Sequence, residues 1–410
     1  MGRADVVRQG GARRVRIYDI ASHAGVSPTT VSAMLTGKRP VSAETRARIE
    51  QSIAVLGYRA NASARALAHG RTDSIALLIP PAGSSLSAFE VDFIAHVVQA
   101  ARASDYDVLV STSLEEEKVF ARLVEEKRVD GIILLEVCLE DRRVERLAAA
   151  GLPFVAVGRT ADPSAISWVD IDFSSLVRAF VRHLSDLRHE DLVMFNSSRA
   201  SYDRGYGPAH RAQSGFIDAC AELGVRGRVV YCDSSPEAGF RATAEILADD
   251  PSFTGLVVVN DYALGGIYQA LTLAGRRIPH DTSILSLAGA RWAEALSPRL
   301  TAAQHPVAEM AMEAVRLLTE RLADPALPPE GHLILPPITL RESTAAAPVA
   351  PPPGHVPATR APTPGPTPGP TVSTAFVSSA PVPLPSPAPL GSVPSRSERA
   401  RAGREGEGAR

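Results

Sequence analysis

Cysteine is scarce in this chain. Cys138, Cys220 and Cys232 are the only three in 410 residues, and they form no close pairing motif and no zinc-type spacing. An odd count in a large chain reads as reduced thiols that serve as small apolar side chains. Aromatic residues are also few, at 5%, with two tryptophans. No apolar run approaches the roughly 20 residues that a membrane-spanning helix needs. The first apolar residues are interrupted by Arg3, Asp5 and Arg8. That pattern argues against a secretory signal and leads to the expectation of a cytoplasmic protein with no membrane partner. His183, His189 and His210 have no nucleophile, phosphate loop or metal spacing beside them. The expectation is therefore no catalytic step, no cofactor and no metal.

Charge is plentiful but unevenly placed. Residues 1–71 carry 12 Lys and Arg against 4 Asp and Glu; residues 72–342 carry 25 against 38. A basic head on an acidic body fits DNA binding by the head alone, because phosphate neutralisation drives affinity.

Inside the head, Ile17 to Leu35 reads IYDIASHAGVSPTTVSAML. Ala21 is small where two helices must cross, and Gly25 can take positive φ in a turn. Ser27 is a good N-cap, with Pro28 at the first helical position. Val31 and Met34 give the second helix an apolar side. This joint spacing predicts a helix-turn-helix, whose second helix fits the DNA major groove. Ser42 can cap a third helix with Ile49, Ile53 and Leu56 on one face and Gly57 at its end.

From about Thr72 the pattern alternates between strand and helix. Ser74–Ile79, Asp107–Ser111, Gly131–Leu135 and Phe154–Val157 read as strands of one block. Leu192–Phe195, Val229–Cys232 and Gly255–Val259 belong to a second. Such alternation implies parallel sheets with right-handed crossovers, and ligands at the carboxyl ends of the strands. From about Thr344 the composition changes. About half of the 33 prolines lie in this last sixth, including PTPGPTPGP at 362–370. Such a segment cannot bury enough apolar surface to order itself, so a disordered tail is expected.

Tyr18-Asp19-Ile20-Ala21, Ala24-Gly25-Val26-Ser27, Thr30-Val31-Ser32, Val41-Ser42, Thr45-Arg46, Leu56-Gly57-Tyr58 and Asn61-Ala62 carry a resemblance. Over about residues 16–342 the chain resembles the lactose-repressor family of bacterial transcription regulators. The resemblance implies an all-α helix-turn-helix DNA-binding head plus an α/β two-lobed body of periplasmic-binding-protein type, followed by the disordered tail. The expected divisions are a flexible basic N-terminus (1–15), the helix-turn-helix domain (16–59) and a hinge helix with linker (60–71). An effector-binding and dimerisation body (72–342) and the Pro-rich tail (343–410) complete the chain. The first lobe would hold about 72–172 and a returning segment near 304–321; the second would hold about 173–303 and 322–342.

The resemblance also implies site residues. In the head these are Tyr18, Ser27, Pro28, Thr29, Thr30, Ser32, Ala33, Lys38 and Arg46. Pro28, Thr29 and Ala33 would face base edges, with Thr29 the main polar reader. Thr30, Ser32, Lys38 and Arg46 would hold phosphates, as would Asn61, although Thr30 and Ser32 also fit plain helix-surface polarity. In the hinge, Asn61, Ala64, Arg65 and Leu67 would meet the minor groove, with Leu67 as a wedge between central base pairs. Ala33 departs from the arginine common in the family, and an alanine can touch only a thymine methyl. For the effector, the implied residues are Arg159, Asp172, Arg211, Asn260 and Asp261. Asp261 fits a helix cap equally well, and Arg159 also fits a purely structural role. Two departures weaken a sugar site: Ala212 stands where the family places arginine, and Ala288 where it places an acid.

These observations leave a dimeric repressor on palindromic double-stranded DNA, modulated by a small molecule such as a sugar. An effector-independent regulator or architectural DNA binder is the alternative. The tail has no heptads, which favours a homodimer over a tetramer.

Overall fold

The computed structural model describes residues 15–36, 39–58, 71–79, 86–112, 116–349 and 373–375. In the head, α1 (Ile17–Ala24), α2 (Pro28–Thr36) and α3 (Ala43–Leu56) follow one another through short turns. Gly25, at φ 65°, ends α1 in the left-handed region that a Cβ disfavours. The Ser27 hydroxyl accepts from the Thr30 N–H at 3.1 Å and fixes the first turn of α2. Ser42 does the same for α3 through Thr45. Ile20, Ala21, Ala24, Val31 and Ile49 form a small buried core, ringed by Met34, Leu35, Ile53, Leu56 and Tyr58.

The body has two sheets. The first lobe begins with β1 (Ser74–Leu78), α4 (Ala88–Ala103), β2 (Asp107–Ser111) and α5 (Glu116–Phe120), which runs into a π turn at Ala121–Glu125. It continues with β3 (Gly131–Leu134), α6 (Arg142–Ala150), β4 (Phe154–Val157) and β5 (Ser167–Ile171). The second lobe holds α7 (Phe173–Asp186), β6 (Asp191–Asn196), α8 (Arg199–Asp203), α9 (Gly207–Leu223), β7 (Arg226–Tyr231) and α10 (Pro236–Asp249). It goes on through β8 (Gly255–Val258), a 3-10 turn (Asp261–Ala263), α11 (Leu264–Leu273), β9 (Ser283–Leu287), α12 (Ala290–Ala295) and β10 (Thr301–Ala303). The chain then returns through α13 (Val307–Ala323) and β11 (Gly331–Ile334) to β12 (Ile338–Thr339). With β13 (Ser373–Ala375), the strand orders are β11-β5-β4-β3-β1-β2 and β12-β10-β9-β8-β6-β7-β13. The pairings are parallel except β10 with β12. Their strands are buried runs such as Gly131–Leu134 and Gly255–Val258, as parallel sheets covered by helices require.

Three boundaries differ from the sequence expectation. Residues 322–342 do not all join the second lobe. Leu317 and Leu318 of α13 are buried in the packing of this helix against α4 and the first sheet. The chain therefore leaves α13 beside the open edge of β5, and β11 pairs there, Gly331 with Trp168 through Ile334 with Ile171. The crossing to the second sheet lies between Ile334 and Ile338 rather than near Leu322.

The second correction concerns the start of the tail. Ser343 is fully buried; its hydroxyl donates to the Ile284 carbonyl at 2.6 Å and accepts from the Thr301 N–H at 2.8 Å. The Ala345 N–H donates to Ser283 Oγ, and its carbonyl pairs with His189 Nε2 at 3.0 Å. These bonds tie 343–347 to the second lobe, because the ends of β9 and β10 offer backbone groups that need partners. Third, Ser373–Ala375 form β13, parallel to β7, so this piece of the tail is a strand. The rest of the expected tail lies outside the described residues, as do residues 1–14, Lys38 and the hinge positions Asn61, Ala64, Arg65 and Leu67.

Candidate functional site

The head presents its polar groups at the start of α2. Thr29 is exposed there, and Pro28, Thr30, Ser32 and Ala33 are half-buried. Ser27 Oγ lies 2.7 Å from Thr29 Oγ1 and 2.8 Å from Thr30 Oγ1, so three hydroxyls are held together at the helix N-terminus. No acidic residue stands in that first turn. The three hydroxyls and the positive end of the helix dipole there suit an anion such as a phosphate. Tyr18, 72% exposed on α1, and Arg46, exposed on α3, lie outside the head's core. His23 was not singled out by the sequence; its Nδ1 meets Ser52 Oγ at 2.9 Å and ties the end of α1 to α3.

The body holds a cavity of about 410 Å³ between the lobes. Its walls come from the carboxyl ends of strands in both sheets. Glu136 follows β3, Asp170 ends β5, Asn196 ends β6 and Asn260 with Asp261 follow β8. Glu90 enters from the first turn of α4, and Tyr206, Tyr262 and Trp292 supply aromatic walls.

Asn260 and Asp261 line this cavity as expected positions, and they do so with partners. Asn260 Nδ2 donates to the Cys232 carbonyl at 2.7 Å, leaving Oδ1 without a hydrogen-bond donor among the described residues. Burial raises the Asp261 carboxyl to about 6, against backbone N–H groups of Gly289, Asp261 and Tyr262 that favour its charge. Its carboxyl accepts from the 3-10 turn, and the residue lines the cavity.

The other three expected effector residues are placed elsewhere. Asp172 caps α7, accepting from the Ser175 N–H at 3.0 Å. Arg159 and Arg211 converge behind the cavity on Asp170, at 3.4 and 3.5 Å. Arg211 also donates to the Arg159 carbonyl at 2.8 Å. The reason is charge burial: Asp170 is 2% exposed, and a carboxylate so placed needs cations beside it. Burial raises its carboxyl to about 6 even so, with Arg211 and Arg159 acting in the opposite direction. Ala212 is fully buried, as is Ala288. Tyr202 and His210 stack on each other at 3.8 Å between ring centres and do not line the cavity.

Glu90, Glu136 and Asp170 were missed from sequence, since nothing local marks them. Glu136 has φ 52°, an unusual value for a side-chain-bearing residue. Its carboxyl is raised to about 7, by burial first and by Glu90 second, while Arg143 and Arg204 oppose. The fold thus favours neutral Glu136. Its contribution to stability is complete below about pH 4.5 and is lost as pH rises through 7. The stability difference between Glu136→Gln and the parent should therefore move in the variant's favour by roughly 2 kcal/mol from pH 5 to pH 8. Calorimetry across that range would read it, and a constant difference would contradict it. His305 also lines the cavity, and burial lowers it to about 4. Among the described residues no group of three or more His, Cys, Asp or Glu could hold a metal.

Comparison with known proteins matches residues 16–61 to the model of bacterial regulatory proteins of the lacI family. Residues 181–344 match a periplasmic binding protein-like domain. The HTH-type transcriptional regulator RafR of Escherichia coli is 31% identical over 261 residues, 63% of this chain and 76% of that protein. Among solved structures, a complex of the transcriptional regulator CelR with cellobiose aligns with TM-score 0.61 and 25% identity, over 80% of this chain and all of that one. The Lac repressor dimer bound to operator and an anti-inducer aligns with TM-score 0.70 at 23% identity, over 82% and 100%, a likeness of fold.

Proposed function

The chain belongs to the lacI family of bacterial regulatory proteins, and from that premise we propose a dimeric repressor that a small molecule in the cleft modulates. It is a DNA-binding transcription regulator, with a helix-turn-helix head on a periplasmic-binding-protein-like body. The observation that carries the effector reading is the cavity of about 410 Å³, walled by strand ends of both sheets. A ligand touching both lobes has different contacts when they open or close, and only such a difference can shift a conformational equilibrium. The ligand class is a sugar or related metabolite, which the cellobiose complex of a relative supports.

In this reading the head (16–59) and hinge (60–71) bind a palindromic operator, and the body from 72 onward holds the effector and the dimer contact. Thr29 reads bases beside Pro28 and Ala33. Tyr18, Ser27, Thr30, Ser32, Lys38, Arg46 and Asn61 position the backbone, and Ala64, Arg65 and Leu67 occupy the minor groove. Asn260 and Asp261 touch the effector, and Arg159 and Arg211 act on it through Asp170. Exposed Val91 and Val98 on α4, and Val110 on the edge strand β2 against which α4 packs, suit burial by a second copy. Among the described residues no helix is long and apolar enough to cross a membrane, which supports a cytoplasmic regulator. His183, His189 and His210 bond to Thr344, to Thr254 and Ala345, and to Tyr202. That structural employment supports a protein without a catalytic step.

Selection of random duplex DNA by the purified protein tests the reading. The expected product is a palindrome with a deformable centre. Ala33→Arg should add a guanine preference in each half-site, through bidentate contact to the base edge. An unchanged preference would show that α2 docks differently. The turning of Arg159 and Arg211 away from the cavity favours a second reading, an effector-independent regulator or architectural binder. Salt-sensitive binding with no enriched site would support it.

A further inference from the structure

Resting on the effector reading above, we infer that the cleft is built for an effector bearing a protonated amine, seated at the Glu90 and Glu136 carboxylates. The cavity wall carries four acids, Glu90, Glu136, Asp170 and Asp261, and one arginine, Arg204. Asp170 already has its cations in Arg159 and Arg211. Four acids against Arg159, Arg211 and Arg204 leave the wall acidic by one charge when Glu136 ionises, which disfavours an anionic effector such as a sugar phosphate.

Buried oxygens without donors point the same way. Glu90 is 1% exposed; its Oε2 accepts from the Ser87 N–H, while Oε1 has no hydrogen-bond partner among the described residues. Asn260, 4% exposed, has the same deficit at Oδ1. Native proteins rarely leave such atoms unsatisfied, and a charged one costs more than a neutral one. At the cavity wall the unpaired atoms are acceptors, so the missing groups there are donors. Glu136 adds a backbone in the left-handed region at the end of β3, strain of the kind that persists where a side chain must be aimed.

A neutral polyol would supply donors but no counter-charge for Glu90 in a buried place, and Glu136 would stay protonated beside it. An ammonium supplies three donors and the opposite charge in one group. A metal ion would need a third ligand, which the described residues do not bring to this pair.

The test compares matched amines and neutral counterparts on the full chain at pH 7 by thermal shift and titration calorimetry. The pairs are glucosamine with glucose, galactosamine with galactose, and putrescine with 1,4-butanediol. At least one amine should raise Tm while its counterpart does not, because a bound ligand stabilises by mass action. Glu136→Gln should weaken that amine about tenfold or more without lowering the unliganded Tm. Glu90→Gln, which keeps the helix-capping geometry, should do likewise. The proposal falls if the neutral counterpart stabilises equally, if both variants keep full amine affinity, or if no amine stabilises. Release of the selected operator separates the two layers. A neutral sugar that binds and releases DNA leaves the effector reading standing and sinks the amine; no response to any compound sinks both.

Discussion

Val31→Asp is expected to abolish specific DNA binding while leaving the body's thermal transition in place. Val31 lies on α2 and is fully buried among Ile20, Ala21, Ala24 and Ile49. A carboxylate there would have no partner, and an isolated buried charge costs several kcal/mol. The head's core is small, and domains of this size have little stability to spare. The head should unfold, and with it goes the placement of Thr29 and the Ser27 hydroxyl cluster. The body's apolar clusters are separate from the head's, so its Tm should not move. Fluorescence anisotropy on the selected operator, paired with calorimetry, reads both. A loss of operator affinity of more than about 100-fold is expected, more than about 2.7 kcal/mol. Retained specific binding would show that Val31 does not hold α2 in place.

Gly266→Ala should produce the largest loss of body stability. Gly266 on α11 lies against the start of α10, where an added Cβ would stand 1.8 Å from the Pro236 carbonyl oxygen and 2.5 Å from the Phe240 nitrogen. Both are backbone atoms, so no rotamer change relieves the clash. Gly239 of α10 is matched the other way, its Cβ site 2.3 Å from the Ala263 carbonyl oxygen. The two helices would have to part, at a cost of about 3 kcal/mol. For a body of this size that lowers Tm by roughly 6–12 °C. The same movement displaces the turn that carries Asn260 and Asp261, so effector binding should weaken as well. The neighbouring Gly265→Ala is the control. Its Cβ meets nothing nearer than 4.0 Å, and alanine favours a helix by about 1 kcal/mol over glycine. Equal Tm values for the two variants would contradict the backbone contact.

The head was legible in the sequence because its determinants are local. Gly25 sets a turn by its own φ, Ser27 and Ser42 cap the helices that follow within three residues, and Ile49, Ile53 and Leu56 keep helical spacing. The alternation of strand and helix was legible for the same reason. Asn260 and Asp261 could be placed at the cavity wall because residues that end parallel strands face the cleft in such folds. The same rule does not put Arg159 or Asp172 on the cavity wall: Arg159 follows β4 but turns to Asp170, and the Asp172 carboxylate caps α7.

What the sequence by itself determined is the three-helix head, the two-block α/β body and the family to which both belong. Only the tertiary structure decided which side chains meet in the cleft. Glu90, Glu136, Asp170 and Asp261 come from different elements of two lobes, and no periodicity links them. It also decided that β11 stays with the first sheet and that 343–347 docks on the second. Local structure follows from interactions a few residues apart, which the sequence displays. Charge pairing, orphaned acceptors and strand edges are settled between distant residues, and burial fixes them only when the chain has closed.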